Sequence, residues 1–370
     1  MDNAKVAFIT VVLISLAYIT KGKLSTPAAP PCNFPAIYNF GDSNSDTGAM
    51  SAAFWPIPPP YGVNYFGKPA GRNSDGRLII DFIAEHLGLP YLSPYLDSIG
   101  PNFRHGANFA TTGSTIRTHN ESIFDNGLSP FSLDIQTEQH YQFMTRTSEL
   151  YHQDFSKSLY TFDIGQNDII NGFKRLTMAQ LHAAIPEFVN QLGSTVTRLY
   201  EQGARAFWIH NIGPIGCLPL ASMYFKNPKT GFLNKYGCIR SHNAMAIDFN
   251  RQLKARITTL RAELPRAALT YVDIYSAKYQ LIRNARIYGF EGPMKICCGY
   301  HKNNVHVGCG QRIMVNGSDV FGAACSSPAT CISWDGVHYS QAANQWVANQ
   351  ILNGSFSDPP VPISSACLKH

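Results

Sequence analysis

Residues 36–48 read Ala36-Ile37-Tyr38-Asn39-Phe40-Gly41-Asp42-Ser43-Asn44-Ser45-Asp46-Thr47-Gly48. A short run of large apolar residues stops at a glycine and passes at once into small polar residues, the pattern of a buried strand feeding a turn. Leu159 to Ile164, Ala206 to Asn211 and Leu269 to Ile274 have the same form. Between these runs lie helical patterns. One begins at Thr177, whose hydroxyl can cap while Gln180 reaches back, and it sets Leu181, Ile185, Phe188, Leu192, Val196 and Leu199 on one face. Pro186 inside it predicts a kink or a split. A second helix is expected from about His242 to Leu264, ahead of Pro265, and a third after Ser340, with Ala343, Trp346, Val347 and Ile351 at helical spacing. Strand alternating with helix predicts an α/β fold: a parallel sheet covered on both faces, with the working crevice at the carboxyl ends of the strands.

The chain as a whole fits that reading. Its 370 residues are 45% hydrophobic and 15% charged, a globular composition that excludes disorder. The net charge of +6 comes from scattered Lys and Arg, with no basic run longer than Lys21-Gly22-Lys23, so no nucleic-acid partner is expected. Neither a repeat nor a low-complexity linker follows residue 31. Ahead of it, Lys5 precedes an apolar stretch from Val6 to Ile19, and small residues and prolines continue to Pro30. A membrane span needs roughly 20 apolar residues. This stretch suits a secretory signal peptide over residues 1–29, cleaved somewhere from Ala17 to Ala29, with residues 30–370 as one exported domain. An uncleaved anchor is the competing reading.

Sequons at Asn120, Asn316 and Asn353 are candidate N-glycan sites and agree with an extracellular protein. The 9 cysteines agree as well, and their odd number leaves at least one thiol or an intermolecular bond. Proximity, which makes loop closure entropically cheap, pairs Cys217 with Cys238 and closes Cys297, Cys298, Cys309, Cys325 and Cys331 among themselves. His301 and His306 lie among these cysteines and admit a zinc site, but the adjacent Cys297-Cys298 lacks zinc-knuckle spacing.

Four polar segments lie where the crevice should be. In Gly41-Asp42-Ser43, a serine at a strand-to-helix turn can present its hydroxyl at the sheet edge with its own amide facing the crevice; an Asp/Ser capping turn is the structural alternative. In Asp335-Gly336-Val337-His338, the glycine permits a tight turn that directs the carboxylate at the imidazole. The remaining two are Asn108-Phe109-Ala110-Thr111-Thr112-Gly113 and Gly165-Gln166-Asn167-Asp168.

In this order, the four segments resemble the blocks of the plant-type secreted GDSL esterases and lipases, a branch of the SGNH hydrolase superfamily. The resemblance covers about residues 34 to 354, with Gly41-Asp42-Ser43 as first block, Gly113 in the second, Gly165, Asn167 and Asp168 in the third, and Asp335 and His338 in the last. Two positions depart from the pattern: Asn44 replaces the name-giving Leu, and Tyr339-Ser340 follow His338 where many members have Pro and Thr. Neither supplies a reacting group. These variants, with Asn39-Phe40 and Pro58 to Gly62, are similar to the subgroup of early-nodulin-like proteins and glycoside acetylesterases.

The resemblance implies a three-layer α/β/α sandwich of the SGNH, flavodoxin-like kind. It further implies a serine ester hydrolase with Ser43 as nucleophile, His338 as base and Asp335 orienting it, and an oxyanion hole from the amides of Ser43 and Gly113 and the side chain of Asn167. Asp168 would orient the Asn167 loop. No metal, nucleotide or flavin cofactor is needed, and the implied substrates are acetyl esters of a plant glycoside or wall polysaccharide. Alternatives remain: a lipase on longer acyl chains, a fucosidase-like glycosidase, or a non-enzymatic carbohydrate-binding or defence protein. Gly71-Arg72-Asn73-Ser74-Asp75-Gly76 lacks the ending of a phosphate loop and is expected to be a turn capping the helix through Phe82 and Ile83. Trp55, Tyr61 and Tyr65 suit core packing, with sugar stacking as the alternative.

Overall fold

Every strand expectation falls within a residue or so of a strand of the computed structural model, which describes residues 31–119, 127–151, 154–223, 228–302 and 305–368. In chain order, β1 (Ile37–Gly41), β2 (Gly106–Asn108), β3 (Leu159–Asp163), β4 (Ala206–His210) and β5 (Ala268–Val272) are the parallel strands. Two short hairpins follow, β6 (Tyr300–Lys302) with β7 (Val305–Val307) and β8 (Arg312–Val315) with β9 (Ser318–Phe321). Last, β10 (Ser357–Asp358) adds antiparallel to β5. The six-stranded sheet runs β10-β5-β4-β3-β1-β2, so the order reverses beside β1 and opens a crevice there at the strand ends.

Side chains along these strands alternate between two cores, the period-2 consequence of a pleated chain. Tyr38, Phe40, Tyr160, Phe162, Phe207 and Ile209 face one layer, packed by helices α2 (Leu133–Tyr151), α3 (Gln166–Arg175), α4 (Met178–Glu201) and α5 (Arg240–Glu263). Ile37, Leu159, Ala206, Trp208 and Val272 face the other, covered by α1 (Ile79–His86), α6 (Ile274–Arg283) and α7 (Gln341–Leu352). A sheet buried on both faces explains why its strands read as continuous apolar runs rather than as alternating ones.

Two local expectations need correction. Pro186 does not split α4, which is continuous from Met178 to Glu201 behind the Thr177/Gln180 capping box. The proline lies on the exposed side of the helix, next to the exposed His182 whose carbonyl it leaves unbonded, so water can take that partner while the opposite face stays packed. Nor does the Gly71–Gly76 turn cap α1. That cap is made by the Asp81 carboxylate on the Leu78 amide, and Asp81 is in turn held by buried Arg72 at 2.7 Å. Asp75 instead accepts the Gln341 amide at the start of α7.

Cystines join Cys32–Cys367, Cys217–Cys238, Cys297–Cys325 and Cys298–Cys309, and buried Cys331 is the odd thiol among the described residues. The Cys297 and Cys298 amides donate to Ser333 and Trp334 carbonyls, so the two cystines in the β6–β9 region brace the segment leading to Asp335. Asn316 and Asn353 are exposed, while Asn120 lies outside the described residues. Peptide mapping without reduction should return these four links, with one thiol per chain that alkylates only after denaturation. Labelling of Cys331 in the folded protein would contradict its burial.

Candidate active site

β1 delivers Ser43 to the crevice two residues past its end, and the next residues lock it there. The Asp42 amide donates to the Asp163 carbonyl at 3.2 Å, and the Asp42 carbonyl accepts the amides of Ser45 and Asp46. Asn44, the residue that departs from the family pattern, donates both its backbone and its side-chain N–H to Asp42 Oδ1, at 2.9 and 2.8 Å.

From 295 residues away, His338 sets Nε2 at 2.8 Å from Ser43 Oγ. Its Nδ1 lies 2.7 Å from Asp335 Oδ2, and the other carboxylate oxygen, Oδ1, accepts the Val337 and His338 amides. The turn between them needs Gly336, whose φ of 95° is left-handed. Ser340, the second departure, caps α7 by accepting the Ala343 amide at 3.2 Å.

Asp46, fully buried, accepts five hydrogen bonds: from the amides of Gly48, Ala49 and Met50, and from the amide and hydroxyl of Thr112. It therefore caps the segment after Ser43 and ties the Thr111–Gly113 loop to it. The capping reading of residues 41–48 holds for Asp46, while the turn sets the Ser43 hydroxyl beside His338. Gly113 has φ 83°, and a Cβ there would lie 2.5 Å from the Gly127 carbonyl. Among the described residues neither the Ser43 nor the Gly113 amide meets an acceptor. Asn167, at the start of α3, donates one amide hydrogen to the Ser114 carbonyl at 2.8 Å. Asp168 accepts the Ile116 and Arg117 amides, which holds the second-block loop against the third. Ser43, Gly113, Asn167, Asp168, Asp335 and His338 thus gather at one end of the sheet.

Beneath Ser43 lies a group of buried ionisable residues that sequence reasoning did not assemble. Burial and the charge of Asp163 push the Asp42 carboxyl up to about 7, against the Asn44 hydrogen bonds. Asp163 meets His210 Nδ1 at 3.3 Å. Lys278, buried on α6 with its ammonium 4.9 Å from the Tyr339 ring centre, is held below the usual lysine range by burial, opposed by the charges of Asp163 and Asp42. A lysine inside the apolar stripe of Ile274, Ala277 and Leu281 was its available signal. Burial disfavours the His338 imidazolium, but the charge and hydrogen bond of Asp335 outweigh it, so His338 sits above its ordinary value of 6.5. Burial likewise opposes the Asp335 carboxylate, yet His338 and the two backbone amides hold the group below its ordinary value.

Tyr61 was also missed. Its hydroxyl donates to Asp335 Oδ2 at 2.9 Å, across 274 residues, and its ring stands edge-on to Trp334. The core-packing expectation holds for Tyr61, which packs on Trp334, Met50 and Ile57, but fails for Trp55 and Tyr65, which are 38% and 42% exposed. Trp55 and Tyr61 line a cavity of about 160 Å³ with Ile57, Asn73, Thr112 and Gln311.

Comparison with known proteins gives a match between residues 37–351 and the family GDSL-like Lipase/Acylhydrolase. A GDSL esterase/lipase of Arabidopsis thaliana is 54% identical over 93% of this chain and 92% of its own. An esterase of Hevea brasiliensis is 46% identical over 96% and 93%. A protein named alpha-L-fucosidase 3, also from Arabidopsis thaliana, is 46% identical over 92% and 96%.

Asp46→Asn should destabilise the protein by about 3 kcal/mol, because an amide nitrogen replaces an acceptor that faces several donors. Denaturant midpoints of the two proteins measure this, and a loss under about 0.5 kcal/mol, the usual size for a surface substitution, would mean that the carboxylate is not the organising group.

Proposed function

Since the chain belongs to the GDSL lipase/acylhydrolase family and is a carboxylic ester hydrolase, we propose that it works through Ser43, His338 and Asp335 on short-chain, acetyl esters of a glycoside or wall polysaccharide. The observation that carries the reading is the unbroken line of contacts from Ser43 Oγ through the imidazole to Asp335, at 2.8 and 2.7 Å, beside two backbone amides with no acceptor among the described residues.

In this mechanism Ser43 Oγ bonds to the ester carbonyl carbon as its proton passes to His338 Nε2. The carbonyl oxygen gains the negative charge and takes hydrogen bonds from the Ser43 and Gly113 amides and from Asn167. Collapse breaks the ester C–O bond, and the alcohol leaves with the proton from His338. Water then attacks the acyl-serine by the same route, releasing the acid and restoring Ser43. Asp335 holds the imidazole tautomer that accepts the proton, and the Tyr61 hydroxyl helps fix that carboxylate.

The fucosidase name of one relative raises a two-carboxylate glycosidase. Such a pair must face the sugar with one member free to protonate and the other to ionise. Asp42 is fully buried, Asp46 is saturated by five donors and Asp335 is committed to His338 and Tyr61, so these acids favour the esterase. Export through a cleaved segment over residues 1–29 accompanies this reading, supported by four cystines and by the exposed sequons at Asn316 and Asn353.

Ser43→Ala should lower kcat/KM on p-nitrophenyl acetate by about a thousandfold or more with an unchanged circular dichroism spectrum. Near-normal turnover would remove Ser43 from the mechanism. A second test uses pH. His338 must be neutral to accept the proton, and its raised value means that more alkaline solution is needed to empty it. The profile of kcat/KM should therefore rise with a midpoint above 6.5 and level off. Lys278 opposes the imidazolium, so Lys278→Met should move the midpoint further up; a downward shift, or an acid-side bell, would contradict the assignment.

A further inference from the structure

We propose that the cavity between Trp55 and Gln311 is a subsite for one sugar ring of the esterified alcohol, and that these two side chains select it. The inference rests on the serine-esterase reading above and adds what the enzyme recognises.

The cavity adjoins the reacting groups through shared residues. Thr112 precedes Gly113 in the chain, Asn73 donates to Thr112 Oγ1 at 2.6 Å, and Tyr61 reaches Asp335. A group lodged there lies against the residue that precedes Gly113 and against the tyrosine that binds Asp335. Its volume of about 160 Å³ is that of a single ring; a cavity of about 150 Å³ takes up benzene.

The lining chooses between an apolar ring and a polar one. Trp55, 38% exposed, and Tyr61 offer aromatic surface of the kind that packs on the C–H face of a pyranose. At the wall, the Gln311 side-chain amide and the Asn73 carbonyl oxygen have no hydrogen-bond partner among the described residues. An alkyl or phenyl group would cover these polar atoms without pairing them, whereas ring hydroxyls would satisfy them. The wider cleft of about 360 Å³ near Lys235, Arg283 and Arg286 shares no residue with the site and is not part of this proposal.

Gln311 also gives a use to the cystine-rich excursion outside the main sheet. Cys298–Cys309 closes the hairpin just before it, and the Gln311 amide and carbonyl are both bonded, to Gly308 and Gly322. At Gly310 the excursion lies so close to the Pro58–Pro59 segment that a Cβ would fall 2.4 Å from the Pro59 carbonyl. The two walls of the cavity are thereby pressed together from distant parts of the chain.

The test compares kcat/KM on a mono-acetylated methyl xyloside with kcat/KM on ethyl acetate, for the native protein, Trp55→Ala and Gln311→Ala. We expect the ratio to fall at least tenfold in Trp55→Ala and three- to tenfold in Gln311→Ala, through KM on the xyloside. Gln311 is exposed, so its variant should fold even if removal of Trp55 perturbs the segment. An unchanged ratio in both variants overturns the subsite. So does a native preference for butyryl or feruloyl esters that the same substitutions abolish, since the cavity would then hold the acyl group. If Ser43→Ala still cleaves ethyl acetate, the nucleophile reading fails instead, whatever the ratios.

Discussion

The site depends on one buried carboxylate and the donors around it. Asp46 accepts five hydrogen bonds from two segments more than 60 residues apart, the turn after β1 and the Thr111–Gly113 loop. Burial raises its carboxyl above the ordinary value, against the pull of those donors. An ionised group so enclosed is tolerated because its lone pairs are filled. The same bonds fix the backbone around the Ser43 and Gly113 amides, which meet no acceptor among the described residues.

Around that anchor the two sides of the proposed mechanism reach the crevice by different means. Ser43 comes two residues past the end of β1, an inner strand flanked by β2 and β3, so the sheet sets its position. Asp335 and His338 come on a loop with no strand beneath it, and that loop is braced by cystines, by Tyr61 and by the start of α7. The β6–β9 excursion therefore serves the site although it contributes no reacting group. Lys278, Asp163 and Asp42 form a third layer, under Ser43 rather than around it, and the charges of Asp42 and Lys278 bear on how readily His338 gives up its proton.

How much of this was legible depended on the range of the interaction. Strands, helices and caps follow from neighbours within a few residues, so the apolar runs ending at Gly41 and Ile164 and the Thr177/Gln180 box could be read directly. Cys217–Cys238 was accessible for the same reason, being 21 residues apart. Pro186 does not split its helix, because local propensity says nothing of which side of the helix meets water, and that decides whether the lost hydrogen bond matters.

By itself the sequence determined the alternating architecture and the family, and it singled out Ser43, Gly113, Asn167, Asp335 and His338 as the residues proposed to act, because each is marked by a short motif whose residues are chemically constrained together. Tertiary structure alone decided that Asp46 binds the second-block loop, that Tyr61 holds Asp335, and that Trp55 and Gln311 face one cavity. Those contacts join residues separated by 66, 274 and some 256 positions. Over such separations no local pattern specifies a partner; the sheet order and the packing of its covering layers do, by bringing chosen strand ends and loops to one edge.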